Sequence, residues 1–468
     1  MTAAPHDTAT HQAVEPNEAP QSTSASVQTF ERNVKDERTG GENPTMFRRR
    51  ASDKHPPEKP RMSGMSAATT WAIMLFCLGN FALSFYNPID FDPYNYLYRG
   101  WTWWGFNDMR KSSHVHNVAL LGSSLMVSAV AGVDANYLNK TLDLSQYHKA
   151  KYLSDNLITR FGGTFNCLNL SIPGQMPSDA YMTLKAMVAT SNRPDIVVYG
   201  VAPRDFIDST MSSADDTETF RFLRRIVNID DIASHVFRTP YTRLEWFISR
   251  TFFLSGHAAD FQLKFKEESE NVVNKLVACP KTDKPFTWWD RIKLLPNYLP
   301  GEIRPLAVMT GPISEADARK RWINNAPEYV ERYKHPDKHV YKTQFYFLEE
   351  LAKFCKKERI ELVLVNMPIT TYNIGLLGPN RYLSYVGDLH VFSMKNNVAF
   401  YDMCTPANYS QADFHDSVHL NAYGGKKLFD QLVNIVSLSG RTRQAFALSG
   451  QDLERHQAVA NSKSPSVQ

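Results

Sequence analysis

A serine and a histidine with a nearby carboxylate are the residues of this chain best suited to joint chemistry. Ser124 follows the apolar run 117–121 and Gly122, so it lies at the carboxyl end of a predicted strand. Asp416 precedes His419 by three residues near the other end of the chain. A serine hydroxyl needs a base to become nucleophilic, and a histidine base needs an acceptor that fixes its tautomer. The three residues therefore predict a Ser-His-Asp triad.

Each member of this predicted triad also has a purely structural interpretation. Ser123 or Ser124 alone fits a helix N-cap, and an Asp-x-x-His spacing arises by chance in many proteins. The joint placement favours chemistry, because the serine follows the first predicted strand and the Asp-x-x-His segment follows the last. We expect His415 to point elsewhere in the loop, so that His419 is the base.

An acyl-transfer site also needs donors for the oxyanion. The amide of Ser124 is free of an intrahelical partner because it starts a helix, and Gly174, after the second strand, allows close backbone approach. Arg204 and Asn366 follow the third and fourth strands and are candidates for oxyanion or substrate binding. A purely structural ion pair between Arg204 and Asp205 is the favoured alternative.

The elements that must position these residues alternate between strand and helix. Short apolar runs, several rich in β-branched residues, are separated by helical patterns, which is typical of a parallel sheet covered on both faces. The predicted strands are 117–121, 165–170, 196–201, 361–365 and 398–401. This pattern predicts an α/β fold with a flavodoxin-like, doubly wound, parallel five-stranded sheet. All the candidate site residues then fall at the carboxyl ends of the strands.

An apolar segment precedes this domain. Residues 66–89 contain no charge until Asp90 and are long enough to cross a bilayer as a helix. Basic residues lie before it, between Arg48 and Arg61, so the N-terminus is expected in the cytoplasm and the remainder outside. A buried core helix is the alternative. A cleaved signal peptide fits less well, because about sixty polar residues precede the segment.

The other segments complete the predicted organisation of the chain. Residues 1–65 are polar and poor in large apolar side chains, which predicts a disordered cytoplasmic tail. Residues 90–114 form an aromatic-rich segment suited to the headgroup layer or to a core. The catalytic domain is predicted at 115–437 and a polar C-terminal tail at 438–468.

A long helical insertion is predicted at about 208–338, between the third and fourth strands. It is rich in aromatic residues, with Trp246, Phe247, Trp288 and Trp289 among them. Such helices can rest on a membrane or meet a membrane partner. The favoured alternative is that they cap the sheet and pack on one another.

Composition excludes several classes of function. The 468 residues carry 52 basic and 48 acidic side chains, a net charge of +4, which is not the pattern of a nucleic-acid binder. His114 and His116 precede the first strand, at the opposite end of the sheet from His415 and His419, so no metal site is predicted. No cofactor is predicted either.

At these residues the chain resembles the SGNH, or GDSL-like, hydrolase superfamily. Gly122-Ser123-Ser124-Leu125 is similar to the family's first block with Ser124 as nucleophile, Gly174 to its second, and Asp416 with His419 to its last. Two positions differ. Ser123 replaces the usual aspartate, and Gly200-Val201-Ala202-Pro203-Arg204-Asp205 lacks the Gly-x-Asn of the third block.

The Gly-Ser-Ser string after an N-terminal anchor looks more like the branch with the D-alanyl transfer protein and the alginate O-acetylation proteins. This resemblance implies a membrane-anchored, serine-dependent O-acyl esterase or acyltransferase that acts outside the cytoplasm on a cell-envelope or exported glycan. It also implies two partners, the lipid bilayer and a polytopic membrane-bound O-acyltransferase. The alternative is a catalytically inactive SGNH-like scaffold of a polysaccharide modification or export assembly, which the altered third block keeps open.

Overall fold

The computed structural model describes residues 66–86, 100–112, 115–258 except 212, and 308–463 except 406, with isolated positions at 94 and between 261 and 272. The predicted tail at 1–65, its basic cluster and the middle of the insertion lie outside the described residues. Side chains are described as far as residue 455.

The main sheet contains five parallel strands, and a separate two-stranded ladder is antiparallel. The strands are β1 Val118–Gly122, β2 Leu142–Asp143, β3 Cys167–Asn169, β4 Ile196–Val201, β5 Met309–Thr310, β6 Glu361–Asn366 and β7 Ala399–Asp402. The main sheet has the order β3-β1-β4-β6-β7, and β2 pairs with β5. Numbered by their own succession, the five parallel strands run 2-1-3-4-5, the flavodoxin-like order of a doubly wound sheet. The predicted fold class is confirmed.

Helices connect and cover the strands. They are α1 Ala67–Tyr86, α2 Trp101–Lys111, α3 Ser124–Leu138, α4 Lys151–Phe161, α5 Pro177–Ala189, α6 Arg204–Ile207, α7 Glu218–Leu223, α8 Ala233–Val236, α9 Pro240–Thr251, α10 Phe253–Gly256, α11 Glu315–Lys320, α12 Ala326–Tyr333, α13 Lys338–Glu358, α14 Thr371–Leu377, α15 Pro379–Asn396, α16 Ala422–Leu438 and α17 Gly440–Lys463. Short 3₁₀ helices occur at Ala214–Asp216 and Gln411–Asp413.

The core follows directly from the sequence pattern. Every residue of β1 and β4 is buried, as expected of central strands covered on both faces. Helix α13 buries Val340, Phe347, Leu351 and Cys355, which recur at helical spacing and therefore lie on one face. These layers fix the carboxyl edge of the sheet, where the candidate residues lie.

Helix α1 is long and apolar enough to cross a membrane, and most of its surface is exposed. Asn80 is its one buried residue among those described. In the described part of the aromatic segment that follows, Trp103 and Phe106 of α2 are buried in the core, which is the second of the two interpretations of this segment. Their apolar rings therefore belong to the domain.

The C-terminal segment is not the predicted polar tail. It contains the 24-residue helix α17, in which Phe446 and Leu453 are buried. Asn117 Nδ2, just before β1, donates to Ser449 Oγ (3.1 Å), and Thr164 N donates to Gly450 O (2.9 Å). The sequence pattern did not predict this helix, because its apolar residues are few and widely spaced. Each one belongs to a different turn, and the rest of that face is polar.

The described part of the insertion has two kinds of helix. Phe220 and Leu223 of α7 and Val236 of α8 are buried, so this part caps the sheet. Helices α9 and α10 have no buried residue. Neither of the two interpretations of the insertion therefore applies to the whole of it.

Candidate active site

Ser124 is the first residue of α3. The N-cap of this helix is Ser123, which directly follows β1. The turn between them depends on Gly122, which has φ of +150° and approaches β4 so closely that a Cβ would lie 2.8 Å from Gly200 O. Gly122 N donates to Gln175 Oε1 (2.6 Å), which fixes the turn to the loop after β3. Because Ser124 is the first residue of a helix, its amide has no acceptor within that helix.

The structure brings Ser124, His419 and Asp416 together. His419 Nε2 lies 2.7 Å from Ser124 Oγ, and His419 Nδ1 lies 2.6 Å from Asp416 Oδ2. These are the two hydrogen bonds that a nucleophile, a base and an orienting carboxylate require. Ser124 and His419 are 295 residues apart in the chain.

Asp416 is held as an acceptor by three donors from its own loop. Its Oδ1 accepts from the amides of Val418 (2.9 Å) and His419 (2.8 Å), while Oδ2 faces the His419 ring. Burial raises the pKa of Asp416, but the hydrogen bond and charge of His419, with His415 and the backbone amide, outweigh it and leave the pKa below its usual value. The carboxylate is therefore ionised where it must stabilise an imidazolium.

The expectation for His415 is wrong, because its ring does not point away from the site. It stacks on His419 with centroids 5.5 Å apart and planes at 10°. Its Nε2 lies 3.4 Å from Asp416 Oδ2. Burial lowers the pKa of His415, and Asp416 opposes that shift only in part. The only sequence signal was its position next to Asp416.

The catalytic loop, residues Phe414–Leu420, is fastened from two other parts of the chain. Ile323 N donates to His415 O (2.7 Å), and Ser417 N donates to Asn325 Oδ1 (3.1 Å), so the end of the insertion holds one side. On the other side, Thr370 donates from its amide (3.1 Å) and its hydroxyl (2.7 Å) to Ser417 O. The predictions assigned no such role to the insertion.

Close packing of α16 on α3 holds this loop beside the nucleophile. Asn421 caps α16 by accepting from the amides of Tyr423 and Gly424. A Cβ at Gly425 would lie 2.7 Å from Ala129 O, so only glycine permits this helix separation. The loop that precedes α16 is thereby fixed against the helix that begins with Ser124.

Gly174 and Arg204, two of the predicted oxyanion or substrate residues, are neighbours. Gly174 has φ of +84°, and a Cβ there would lie 3.4 Å from Arg204 Nη2. Arg204 is buried, and its Nη2 binds Asp208 Oδ2 at 2.9 Å. Its Nη1 makes no hydrogen bond with any described residue and lies 3.7 Å from Asp205 Oδ1. One buried guanidinium nitrogen therefore has an ion-pair partner in Asp205 but no hydrogen-bond acceptor among the described residues.

Asp205 connects this strand tip to the serine turn. Its Oδ2 accepts from Ala202 N (2.9 Å) and from Ser123 Oγ (3.4 Å). Burial raises the pKa of Asp205 to about 6, although the Arg204 charge and these hydrogen bonds act in the opposite direction. Both interpretations of the Arg204–Asp205 pair thus have support, since Asp205 is structural and Arg204 Nη1 has no hydrogen-bond acceptor among the described residues.

Asn366 is not brought into the site. It is fully buried, and its Nδ2 donates to Asp402 Oδ1 (2.8 Å) and Tyr382 Oη (3.1 Å). Its Oδ1 accepts from Tyr385 (3.2 Å). The prediction from its place at a strand end does not hold, because neighbouring side chains occupy the amide.

A cavity of about 590 Å³ adjoins the outer side of the catalytic loop. Phe414, at the start of the loop, and Thr370, which binds Ser417 O, are both part of its wall. The wall combines aromatic rings with hydroxyl and amide groups, among them Trp322, Asn324, Tyr372, Tyr409 and Gln411. Such a lining suits a ligand with apolar faces and many hydroxyls.

His415, Asp416 and His419 also offer one donor atom each within 4.8 Å of one another, a grouping that a metal ion could use. Two of these side chains already bind each other, and the second nitrogen of His419 faces Ser124. The arrangement is that of a triad, and we derive no metal chemistry from it.

No family model matches the chain, and no curated protein matches it. Among solved structures, it is similar to a putative acylhydrolase from Bacteroides fragilis, with 10% identity over 74% of this chain and 99% of that one and a TM-score of 0.30. A GDSL-like lipase from Bacteroides thetaiotaomicron gives 9% identity, the same coverages and a TM-score of 0.30. At these values the similarity does not assign a function.

Proposed function

We propose that the protein is a serine-dependent O-acyl esterase or acyltransferase. The observation that carries this proposal is the continuous pair of hydrogen bonds from Ser124 Oγ through the His419 ring to Asp416, at 2.7 and 2.6 Å. An N-cap serine or a chance Asp-x-x-His spacing does not require either bond. Nucleophile, base and orienting group are all within reach of their partners.

The reaction follows from these contacts. Ser124 Oγ attacks the acyl carbonyl carbon while His419 Nε2 takes the hydroxyl proton, and Asp416 stabilises the resulting imidazolium. The tetrahedral intermediate expels the donor oxygen, which receives the proton from His419, and an ester on Ser124 remains. A water or an acceptor hydroxyl then gives its proton to His419 and attacks this ester, which restores the free serine.

Arg204 supports a cationic oxyanion site in place of the missing asparagine. Its Nη1, which makes no hydrogen bond with any described residue, lies at the tip of β4, the strand next to β1 across the point where the strand order reverses. This is where doubly wound sheets bind ligands. We assign the developing negative charge to Arg204, the Ser124 amide and the backbone at Gly174. Each such donor is worth roughly 10²–10³ in rate.

The cavity beside the catalytic loop supports a glycan as the acceptor or the acylated substrate. Trp322, Tyr372 and Tyr409 can stack on the apolar faces of sugar rings, while Asn324 and Gln411 can hydrogen-bond to ring hydroxyls. Pro368 and Cys404, which follow β6 and β7, are also part of the cavity wall. A bound sugar would therefore lie close to the Asp416–His419 loop.

We further propose that α1 anchors the protein in the cell membrane with its N-terminus in the cytoplasm and the catalytic domain outside. The basic residues from Arg48 to Arg61 before an uncharged segment support this orientation. A polytopic membrane-bound O-acyltransferase would then supply the acyl group. A reporter fused after Gln468 should be active outside the cytoplasm, and activity only inside would contradict this topology.

A fluorophosphonate probe tests the chemistry. The full chain in detergent should be labelled, and Ser124→Ala should remove the label. Ser123→Ala is the matched control, because it changes the adjacent hydroxyl and only a 3.4 Å contact to Asp205. We expect it to retain part of the labelling. Absence of labelling in the folded wild type, or equal labelling of Ser124→Ala, would favour the inactive scaffold.

A further inference from the structure

Helix α9 carries an apolar stripe on its outward side. The stripe consists of Tyr241, Leu244, Phe247 and Ile248, whose exposed fractions are 73, 55, 57 and 37%. These residues recur at helical spacing and therefore lie on one side of the helix. Four exposed large side chains on twelve residues are unusual for a surface that faces water.

The opposite side of α9 is attached to the domain. Trp246 stacks on Phe237 with ring centroids 5.8 Å apart, and Arg243 Nε donates to Phe237 O (2.9 Å). Arg250 forms an ion pair with Asp230. The helix is therefore held with its polar and aromatic side inward and its apolar stripe outward, which is the reverse of a surface helix that covers a core.

The end of α9 connects it to α1. The rings of Phe76 in α1 and Phe252 are 5.4 Å apart, and Leu254 N donates to Asn80 Oδ1 (2.9 Å). Asn80 Nδ2 donates to Phe76 O (2.8 Å), so both ends of this buried amide are used. A polar side chain inside an apolar helix that faces protein, and satisfies a backbone N–H there, is typical of a membrane-embedded contact.

The position of this contact along α1 places the stripe at the bilayer. At 1.5 Å per residue, Asn80 lies about 9 Å and Phe76 about 15 Å before the last residue of α1, Tyr86. In the proposed topology Tyr86 is at the outer surface, so the contact lies in the outer half of a bilayer whose hydrocarbon is about 30 Å thick. The same lipids that surround this half of α1 are then next to α9.

From these contacts we infer that α9 is a second membrane element, an interfacial helix whose Tyr241, Leu244, Phe247 and Ile248 enter the outer leaflet. Glu245 borders one edge of the stripe, and Arg243 and Arg250 lie beyond the other edge, where they bind Phe237 O and Asp230; a polar face of this kind opposite an apolar one is typical of helices that lie in the plane of a membrane. This inference rests on the proposed membrane span of α1. It would fix the orientation of the catalytic domain relative to the bilayer through a second point of contact besides α1.

Spin labels in the full chain test the inference. The chain is reconstituted in vesicles of phosphatidylethanolamine and phosphatidylglycerol, with Cys77→Ala and Cys279→Ser and the buried thiols Cys167, Cys355 and Cys404 kept. A nitroxide is attached at Phe247→Cys or at Leu244→Cys. The ratio of its accessibility to oxygen over a water-soluble nickel complex measures contact with lipid, and far-UV circular dichroism and the Tm of each labelled variant verify the fold.

Two control positions separate the possible failures. Met394→Cys places the label on α15, where Met394 is 75% exposed and no contact with α1 is described, so it should face water. Leu78→Cys places it on α1 itself. We expect ratios at positions 244 and 247 several-fold above that at 394 and close to that at 78.

Each contrary result has one meaning. A ratio at 247 equal to that at 394, with a high ratio at 78, overturns the inference and leaves the anchor intact. A low ratio at 78 as well overturns the proposed span. An immobile label at 247 that neither reagent reaches overturns the lipid assignment in favour of a protein partner.

Discussion

The two sides of the candidate site are held in different ways. The serine side belongs to the sheet, because Ser124 and Arg204 directly follow β1 and β4. The histidine side is a loop outside the sheet, fastened by Ile323, Asn325 and Thr370. The reactive hydroxyl is therefore placed by the core, whereas the base depends on surface segments that could vary without loss of the fold.

Removal of the histidine side should have the largest effect. His419→Ala should lower turnover of p-nitrophenyl acetate by at least about 10³-fold, because Ser124 loses its base. Ser124→Ala with His419→Ala should lose little more than either alone, since residues that act as a unit are not additive. Asp416→Asn should lose less than His419→Ala. Losses that multiply in the double variant would show that the two sides act independently.

Arg204 tests the serine side. Arg204→Gln should lower kcat by roughly 10²–10³ with little change in KM, since an oxyanion donor acts only in the transition state. Arg332→Gln is the matched control, because Arg332 also pairs with the buried Asp208 but belongs to α12. Comparable losses of kcat in both variants would mean that the ion pairs with Asp208, and not an oxyanion contact, explain the effect.

Asn325 tests the fastening of the loop. Asn325→Ala removes the acceptor of Ser417 N, and a displaced base should reduce kcat by about tenfold while the domain stays folded. Asn136→Ala removes the equivalent bond to Ile313 N (2.8 Å), which also joins the core to the insertion but not to the loop. If Asn136→Ala reduces kcat as much as Asn325→Ala does, the insertion affects the whole domain and not specifically the position of His419.

His415 should contribute less. His415→Phe keeps a ring to stack on His419 and loses the 3.4 Å contact to Asp416, while His415→Ala loses both. We expect losses in kcat below about tenfold, that is, less than about 1.4 kcal/mol, and a smaller loss for phenylalanine. If His415→Phe lowers kcat as much as His419→Ala does, the assignment of His419 alone as the base is wrong.

Asp179 tests how the stability of the folded domain depends on pH. The measured quantity is the Tm and not the rate of turnover. Burial raises the pKa of Asp179 to about 7, against the lowering effect of Thr217, the Met176 amide and Arg204. The folded state then binds this proton more tightly than the unfolded chain, so its stabilising effect is complete below about pH 4 and lost as the pH rises to about 7.

Asp179→Asn, which does not titrate, should therefore gain in Tm relative to the wild type between pH 4.5 and 7.5, by a few degrees at most. Asp452→Asn, at an exposed carboxylate of α17 paired with Arg455, is the control for the same change of side chain outside the core. A Tm difference for Asp179→Asn that falls over this range would contradict the direction of the pKa shift.

The same contrast explains what the sequence could predict. The strands and Ser124 were predictable because buried parallel strands are continuous apolar runs and their carboxyl ends gather the site. The Asp416–His419 spacing was local and therefore visible. The occupied amide of Asn366, the His415 stack and the role of Asn325 each depend on residues far away in the chain, so no local pattern contains them.

The prediction of a polar tail in place of α17 was wrong for a related reason. Its buried positions, Phe446 and Leu453, are few, and its contacts with Asn117 and Thr164 join the two ends of the domain. A helix of that kind is stabilised by tertiary packing and not by its own pattern.

The long separation of Ser124 from His419 has a consequence for biosynthesis. His419 is the 295th residue that the ribosome adds after Ser124, and α16, which fixes the loop, comes later still. In the proposed topology, a nascent chain that enters the membrane at α1 would carry the proposed nucleophile before its base has been synthesised. On the proposed mechanism the site is complete only when nearly the whole domain has been translated, and a product that ends before His419 lacks the base.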